Sequence, residues 1–254
     1  MIGPLDGRVA VVTGAGQGVG RGIALALAEA GASIVVAARR AETGEPVAAE
    51  VRARGAAAIC VETDVADRAA VQAMVDRTVA ELGRLDVMIH NAIKPPSPHR
   101  VESVGIEQWE ELSTVTVWGS LYCARSAYPH LKASGHGRFI MLTSPAGIEA
   151  SAGLPLYGPV KAAQRAMAKS LAREWGPDGI TVNCIGPVAV TPALDKAFAE
   201  NAELRGRIEA RTPLRRLGDP EADIGGVAAF LASDAAGYVT GQTIICAGGS
   251  FTGL

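Results

Sequence analysis

A strand that runs straight into a cluster of glycines and out into a helix leaves few folds open, and Arg8–Ala30 is such a stretch. Arg8-Val9-Ala10-Val11-Val12 is short, apolar and β-branched, the pattern of a strand covered on both faces. The turn TGAGQGVG follows at Thr13–Gly20, and the alanine- and leucine-rich Ile23–Ala30 predicts a helix. Gly14, Gly18 and Gly20 permit a tight turn and a close approach of a diphosphate to the helix N-terminus, whose amides and dipole favour anions. The same alternation continues. Strands are expected at Ser33–Ala38, Ala57–Glu62, Leu85–His90, Phe139–Leu142, Ile180–Ile185 and Gln242–Cys246. Between them, helices are expected at Glu45–Arg54, Arg68–Leu82, Ile106–Leu131, from Leu156 or Tyr157 to Glu174, and at Pro220–Ala232. The expected fold is α/β, a doubly wound and mostly parallel seven-stranded sheet in a single domain over residues 1–254, with ligands at the carboxyl ends of the strands.

Composition narrows the function. A net charge of −2 argues against a general binder of nucleic acid or of membrane surfaces. No apolar run reaches the roughly 18 residues of a membrane span. The opening MIGPLDGR lacks the basic region and apolar core of a secretory signal, so a cytoplasmic location is expected. Cys60, Cys123, Cys184 and Cys246 lie far apart in apolar stretches and read as buried free thiols. The four histidines show no metal-ligand spacing, and no metal is expected.

The chemistry concentrates between Ser144 and Lys161. Tyr157 and Lys161 are four apart and share one face of a helix. Pro159, tolerated only in a first turn, places both near that helix's start. A free phenol titrates near pH ~10, and a lysine ammonium close by would draw it toward the working range of a general acid or base. Ser144 follows the run Phe139–Leu142 where a strand should end, and its hydroxyl can donate to a carbonyl oxygen whose charge changes during hydride transfer.

Ser144, Tyr157 and Lys161 at this spacing, together with Thr-Gly-x-x-x-Gly-x-Gly at Thr13–Gly20, resemble the short-chain dehydrogenase/reductase family over almost the whole chain. The resemblance implies a Rossmann-like fold and a Ser-Tyr-Lys site that transfers hydride between a nicotinamide and a carbonyl or alcohol. Carried onto this sequence, it assigns Ser144, Tyr157, Lys161 and Thr116 to catalysis. The cofactor would be held by Gly14, Gln17, Gly18, Val19, Gly20, Arg39, Asp64, Val65, Asn91, Ala92, Tyr157, Lys161, Pro187, Val190 and Thr191. Asp64 reads equally as a border of the adenine ring or as the N-cap of the next helix. Pairing of the two long helices across two-fold axes implies a homotetramer.

Several positions depart from the family pattern. Thr116 stands where an Asn helps hold a relay water, mainly through the backbone carbonyl of a kinked turn; a threonine that bonds back one turn bends a helix similarly. His90 and Ile93 flank Asn91-Ala92 where the usual run is Asn-Asn-Ala-Gly, and Val188 replaces a glycine after Pro187. At the end of the second strand, Ala38 takes the place of the acidic residue that binds a ribose 2′-hydroxyl, and Arg39 follows. A guanidinium there with no carboxylate favours NADP, with NAD the alternative.

The expected activity is an NADP(H)-dependent oxidoreductase that interconverts a small-molecule carbonyl and a secondary alcohol. The alternatives are a 3-oxoacyl-thioester reductase and a nucleotide-binding protein of little turnover. The substrate would be set by Pro95–Val101, by Ala146–Pro155 and by a lid over residues 192–217, whose helices are expected at Ala193–Glu200 and Ala202–Ala210. Lys94, His99 and Arg100, in the proline-stiffened loop Lys94–Arg100, read as a solvated rim that could also attract an anion.

Overall fold

In the computed structural model, which describes residues 3–95 and 98–252, the chain builds one seven-stranded sheet flanked by helices on both faces. Pro96 and Ser97 of the expected rim loop lie outside the described residues. In chain order the elements begin with β1 (Val9–Thr13), α1 (Gly18–Glu29), β2 (Ser33–Ala38), α2 (Ala41–Ala53), β3 (Ala58–Glu62), α3 (Arg68–Leu82) and β4 (Val87–His90). After the rim loop come α4 (Ile106–Ser113), a π-helical turn at Thr114–Trp118, and α5 (Gly119–Ser134). Then follow β5 (Arg138–Leu142), α6 (Ala146–Glu149), α7 (Tyr157–Trp175) and β6 (Thr181–Pro187). The chain finishes with α8 (Pro192–Glu200), α9 (Ala202–Arg211), a second π turn at Pro220–Gly225, α10 (Gly226–Ala232) and β7 (Thr243–Cys246).

The strand order is β3-β2-β1-β4-β5-β6-β7, and every pairing is parallel. Side chains alternate across the sheet with period two. Ala10 and Val12 of β1 therefore join Ile23, Leu27, Val36, Ile89 and Leu231 on one face, while Val9 and Val11 join Met74, Met88, Leu131, Phe139 and Trp175 on the other. Both faces are sealed, which is why the strands read as near-continuous apolar runs.

Two expectations shift by a turn. The first helix begins at Gly18 rather than Ile23, because the glycine turn itself supplies its first turn; α2 begins at Ala41, directly after an extended Arg40. Asp67, not Asp64, caps α3: its carboxylate accepts the Ala69 N–H at 2.8 Å, whereas Asp64 accepts from Ala66 at 2.9 Å in a turn before the helix. Cys123 and Cys184 are buried as expected, but Cys60 and Cys246 are only half-buried, because β3 is the sheet's edge and β7 is half-exposed along its length. No helix among the described residues is long and apolar enough to cross a membrane.

Candidate active site

The carboxyl ends of β1, β4, β5 and β6 meet along one edge of the sheet, and most of the residues singled out by the sequence lie there. Gly14 and Gly18 take positive φ of 64° and 55°, backbone that glycine adopts without strain. A Cβ on Gly20 would sit 2.4 Å from the Gly14 carbonyl and 2.5 Å from Asn91 Nδ2, so the loop closes only around a bare backbone. Asn91 clamps it from β4, donating to Thr13 O at 2.9 Å and Gly14 O at 3.2 Å. Gln17 precedes α1 in an extended conformation without a side-chain cap, and the helix's first turn holds no acidic residue. Its leading N–H groups thus keep their anion-binding capacity. Gly18 faces Thr191 and Pro192, and with Val190 they line a cavity of about 230 Å³. The Val190 N–H is held by Gly218 O at 3.0 Å, and the Thr191 hydroxyl caps α8 by accepting the Leu194 N–H at 3.3 Å.

Around the adenosine side expected from the sequence, Ala38 ends β2 buried, and Arg39 and Arg40 are both exposed. Ala38 pairs with Glu62 of β3, whose carboxylate accepts the Ala41 N–H at 3.2 Å. Val65 is buried, while Asp64 is exposed.

The proposed chemistry sits where β5 ends against α7. Thr143 locks the two together, its hydroxyl donating to Lys161 O at 2.9 Å. Ser144 is half-buried; its Oγ accepts the Ala146 N–H at 3.2 Å and lies near the Tyr157 hydroxyl. Burial pushes the Tyr157 phenol up from its ordinary value, and the neighbouring Ser144 hydroxyl opposes that rise. Lys161 is fully buried, and burial pulls its ammonium down to about 7. The amine lies 5.9 Å from the Tyr157 ring centre and spends two bonds on the protein, to Leu142 O at 2.5 Å and Gln164 Oε1 at 2.9 Å. The drop in the phenol's pKa expected from Lys161 is therefore absent from this geometry; the lysine's hydrogen bonds point to the strand and to its own helix.

Thr116 lies in the π turn, fully buried, and its hydroxyl has no partner among the described residues. The backward bond expected of it is made instead by Thr114, whose Oγ1 donates to Glu110 O at 2.7 Å. The Thr116 carbonyl is engaged by Ser120, which donates to it at 2.7 Å. Ser120 and Gln164 are polar residues that the sequence reading missed; the available signal was an amide three residues beyond Lys161, on the same helix face. His90 is also fully buried, its Nδ1 lying 3.2 Å from Thr13 Oγ1 and 3.7 Å from Cys123 Sγ. Its Nε2 faces the Val115 and Thr116 carbonyls without a well-aligned bond.

Beside Tyr157 opens a cavity of about 140 Å³, walled by Val104, Leu112, Leu154 and Leu156 with Lys94 and His99 at its mouth. Lys94 is tied by an ion pair to Glu111. Among the described residues there is no cluster that could hold a metal ion.

The family described as Enoyl-(Acyl carrier protein) reductase matches residues 14–250 of the chain. The chain is 36% identical over 245 residues to a cis-4-hydroxycyclohexanecarboxylate dehydrogenase from Sinomonas cyclohexanicum, a match covering 95% of this chain and 96% of the relative. Its fold superposes on a gluconate 5-dehydrogenase from Burkholderia cenocepacia J2315 solved with NADP and tartrate, with a TM-score of 0.90, 33% identity and coverage of 97% and 96%. A 7α-hydroxysteroid dehydrogenase solved with NADH and 7-oxo glycochenodeoxycholic acid superposes with a TM-score of 0.91, 30% identity and coverage of 96% and 94%.

Proposed function

The chain belongs to the short-chain dehydrogenase/reductase family, and from that premise we propose that it interconverts a small-molecule carbonyl and a secondary alcohol using NADP(H). The observation that carries this reading is the placing of Ser144 and Tyr157 side by side where β5 ends against α7, one turn from buried Lys161 and open to the cavity of about 140 Å³. The residues present fit a nicotinamide dinucleotide. The uncapped start of α1 and the bare turn at Gly14–Gly20 suit the diphosphate, and exposed Arg39 beside Ala38 suits a 2′-phosphate. Asp64, Val65, Ala92 and Pro187, with Val190 and Thr191, complete the set that would hold the remainder.

When bound, the nicotinamide supplies the hydride. Tyr157 passes a proton to or from the substrate oxygen through its hydroxyl. Ser144, beside the phenol, donates its hydroxyl to that oxygen and steadies it. Lys161, anchored to Leu142 O and Gln164, keeps its third N–H for the cofactor ribose. The walls of Leu112, Leu154 and Leu156 exclude water from the reacting face. The helices α8 and α9 act as the lid over residues 192–217.

The test is steady-state turnover of Tyr157→Phe against a panel of ketones and alcohols. Removing the phenolic proton should lower kcat by about 10²–10⁴-fold while NADP affinity stays within a few-fold. Undiminished turnover in this variant would remove Tyr157 from the mechanism.

A further inference from the structure

Below the reacting groups runs a hydrogen-bond chain that crosses from one helix to another. The Lys161 amine donates to Gln164 Oε1 at 2.9 Å, Gln164 Nε2 donates to Ser120 Oγ at 2.9 Å, and Ser120 Oγ donates to Thr116 O at 2.7 Å. All four residues are buried, Ser120 and Gln164 completely. An amide buried at that depth is costly unless both its ends are paired, and Gln164 has both ends paired within this chain. The direction of each bond is set by the one before. An ammonium only donates, so Gln164 must turn its oxygen to Lys161 and its NH₂ to Ser120. The Ser120 proton then has one destination, the carbonyl that the π turn presents at Thr116.

We propose that Gln164 and Ser120 are positioning residues that fix the Lys161 amine from across the α5–α7 helix pair. An ammonium has three N–H groups. Leu142 O and Gln164 Oε1 take two, from β5 and α7, so the third is aimed by elimination. Without Ser120 the Gln164 amide is free to rotate, and without Gln164 the amine is held from the strand side alone. Among the described residues, the ionisable groups against the amine are His90 from β4, Cys184 from β6 and Tyr157 from its own helix, with Cys123 of α5 behind His90; the π turn contributes none. None is a carboxylate, so Gln164 is the side-chain oxygen that favours the charged amine.

This proposal rests on the reading of Lys161 as part of the active site only for its consequence in catalysis; its test needs neither cofactor nor substrate. The chain has five lysines, so the Lys161 titration can be followed by NMR on the whole protein with isotope-labelled lysine. The parent midpoint is expected at about 7. Gln164→Glu keeps the acceptor and adds a charge, and should raise the midpoint by about 1–3 units. Gln164→Met removes the acceptor and should lower it. Ser120→Ala, a small change that the fold should tolerate, should lower it by less. Gln164→Met together with Ser120→Ala should match Gln164→Met alone, since both act through one oxygen. Three single variants with the parent midpoint, whatever their melting temperatures, would reduce Gln164 and Ser120 to packing and overturn the proposal. Loss of turnover in Tyr157→Phe is a separate result and leaves this one standing.

Discussion

Thr13 and His90 share one buried hydrogen bond of 3.2 Å, and the other bonds of Thr13 fix which way its proton points. The Thr13 oxygen accepts the N–H groups of Asn91 and Ala92, both at 3.1 Å. With both acceptor sites filled, its own proton goes to His90 Nδ1, which makes the imidazole a neutral acceptor there with its hydrogen on Nε2. One hydroxyl thus joins β1 to β4 at the point where both strands deliver their site residues.

That arrangement leaves no place for a second imidazole proton. Burial first, and the nearby Lys161 second, pull His90 down to about 3. Unfolded, the ring titrates near 6.5, so between about 6.5 and 3 only the unfolded chain takes up the proton. Stability should fall as pH drops through that window, by up to about 1.4 kcal/mol per unit. His90→Asn should flatten this slope in denaturant melts between pH 6.5 and 4; equal slopes for parent and variant would refute it.

Two glycines two residues apart in the turn should respond differently to alanine. On Gly20 the new methyl would strike the Gly14 carbonyl at 2.4 Å and Asn91 at 2.5 Å, so the turn must open. Gly20→Ala should weaken dinucleotide binding about 100-fold or more and cost stability of about 1–3 kcal/mol. On Gly18 the nearest atom is Pro192 Cδ at 3.4 Å, and the cost is chiefly the backbone penalty at φ 55°, about 1–2 kcal/mol. Calorimetric titration and melting of both variants check the contrast, which fails if Gly18→Ala loses more binding than Gly20→Ala.

The preference for NADP over NAD should depend on Arg39. An arginine–phosphate bond contributes on the order of 1.5–3 kcal/mol, roughly ten- to a hundredfold in kcat/KM at fixed ionic strength. Ala38→Asp combined with Arg39→Ala should turn the preference toward NAD, while Arg40→Ala should leave the ratio near that of the parent. A parent ratio at or below one would mean that Arg39 serves solvent and not a phosphate.

Self-association into a tetramer is expected through the surface of the long helices. Trp118 is 51% exposed and stacks beside Tyr122, and Ile106 stands 64% exposed on α4. Light scattering at micromolar concentration should report four copies, and Trp118→Glu should yield a smaller species. A monomeric parent would refute the assembly.

How much of this was legible in the sequence follows from the range of the forces involved. The strand Ser33–Ala38 and the helix Arg68–Leu82 have the limits their residues predict, because apolar runs and turn signals are local. The position of Ser144 at the end of β5 and of Tyr157 and Lys161 at the start of α7 follows from the same local logic. Asp64 and Asp67 each suit a cap, and only the backbone between them decides in favour of Asp67. Gln164 and Ser120 stayed hidden because they are 44 residues apart and meet only once two helices have packed. The Tyr157 phenol was misjudged for a related reason: spacing puts Lys161 on its face, but the Leu142 carbonyl, brought up by β5, directs where the amine turns.

The π turn at Thr114–Trp118 has a consequence for how this chain can vary in length. A wider turn holds about one residue more than the α-helical path it replaces. Removing one residue there would let α4 and α5 run on as a single regular helix with the flanking turns nearly in phase, because the wider turn absorbs the extra residue. Leu112 would then keep its place in the cavity wall, and what would be lost is the widened backbone that presents the Thr116 carbonyl to Ser120. One codon thus separates a helix pair that reaches the buried Ser120–Gln164 pair through a widened turn from one that does not, whereas a one-residue change within α4 or α5 themselves would rotate one side of the segment against the other by roughly 100°.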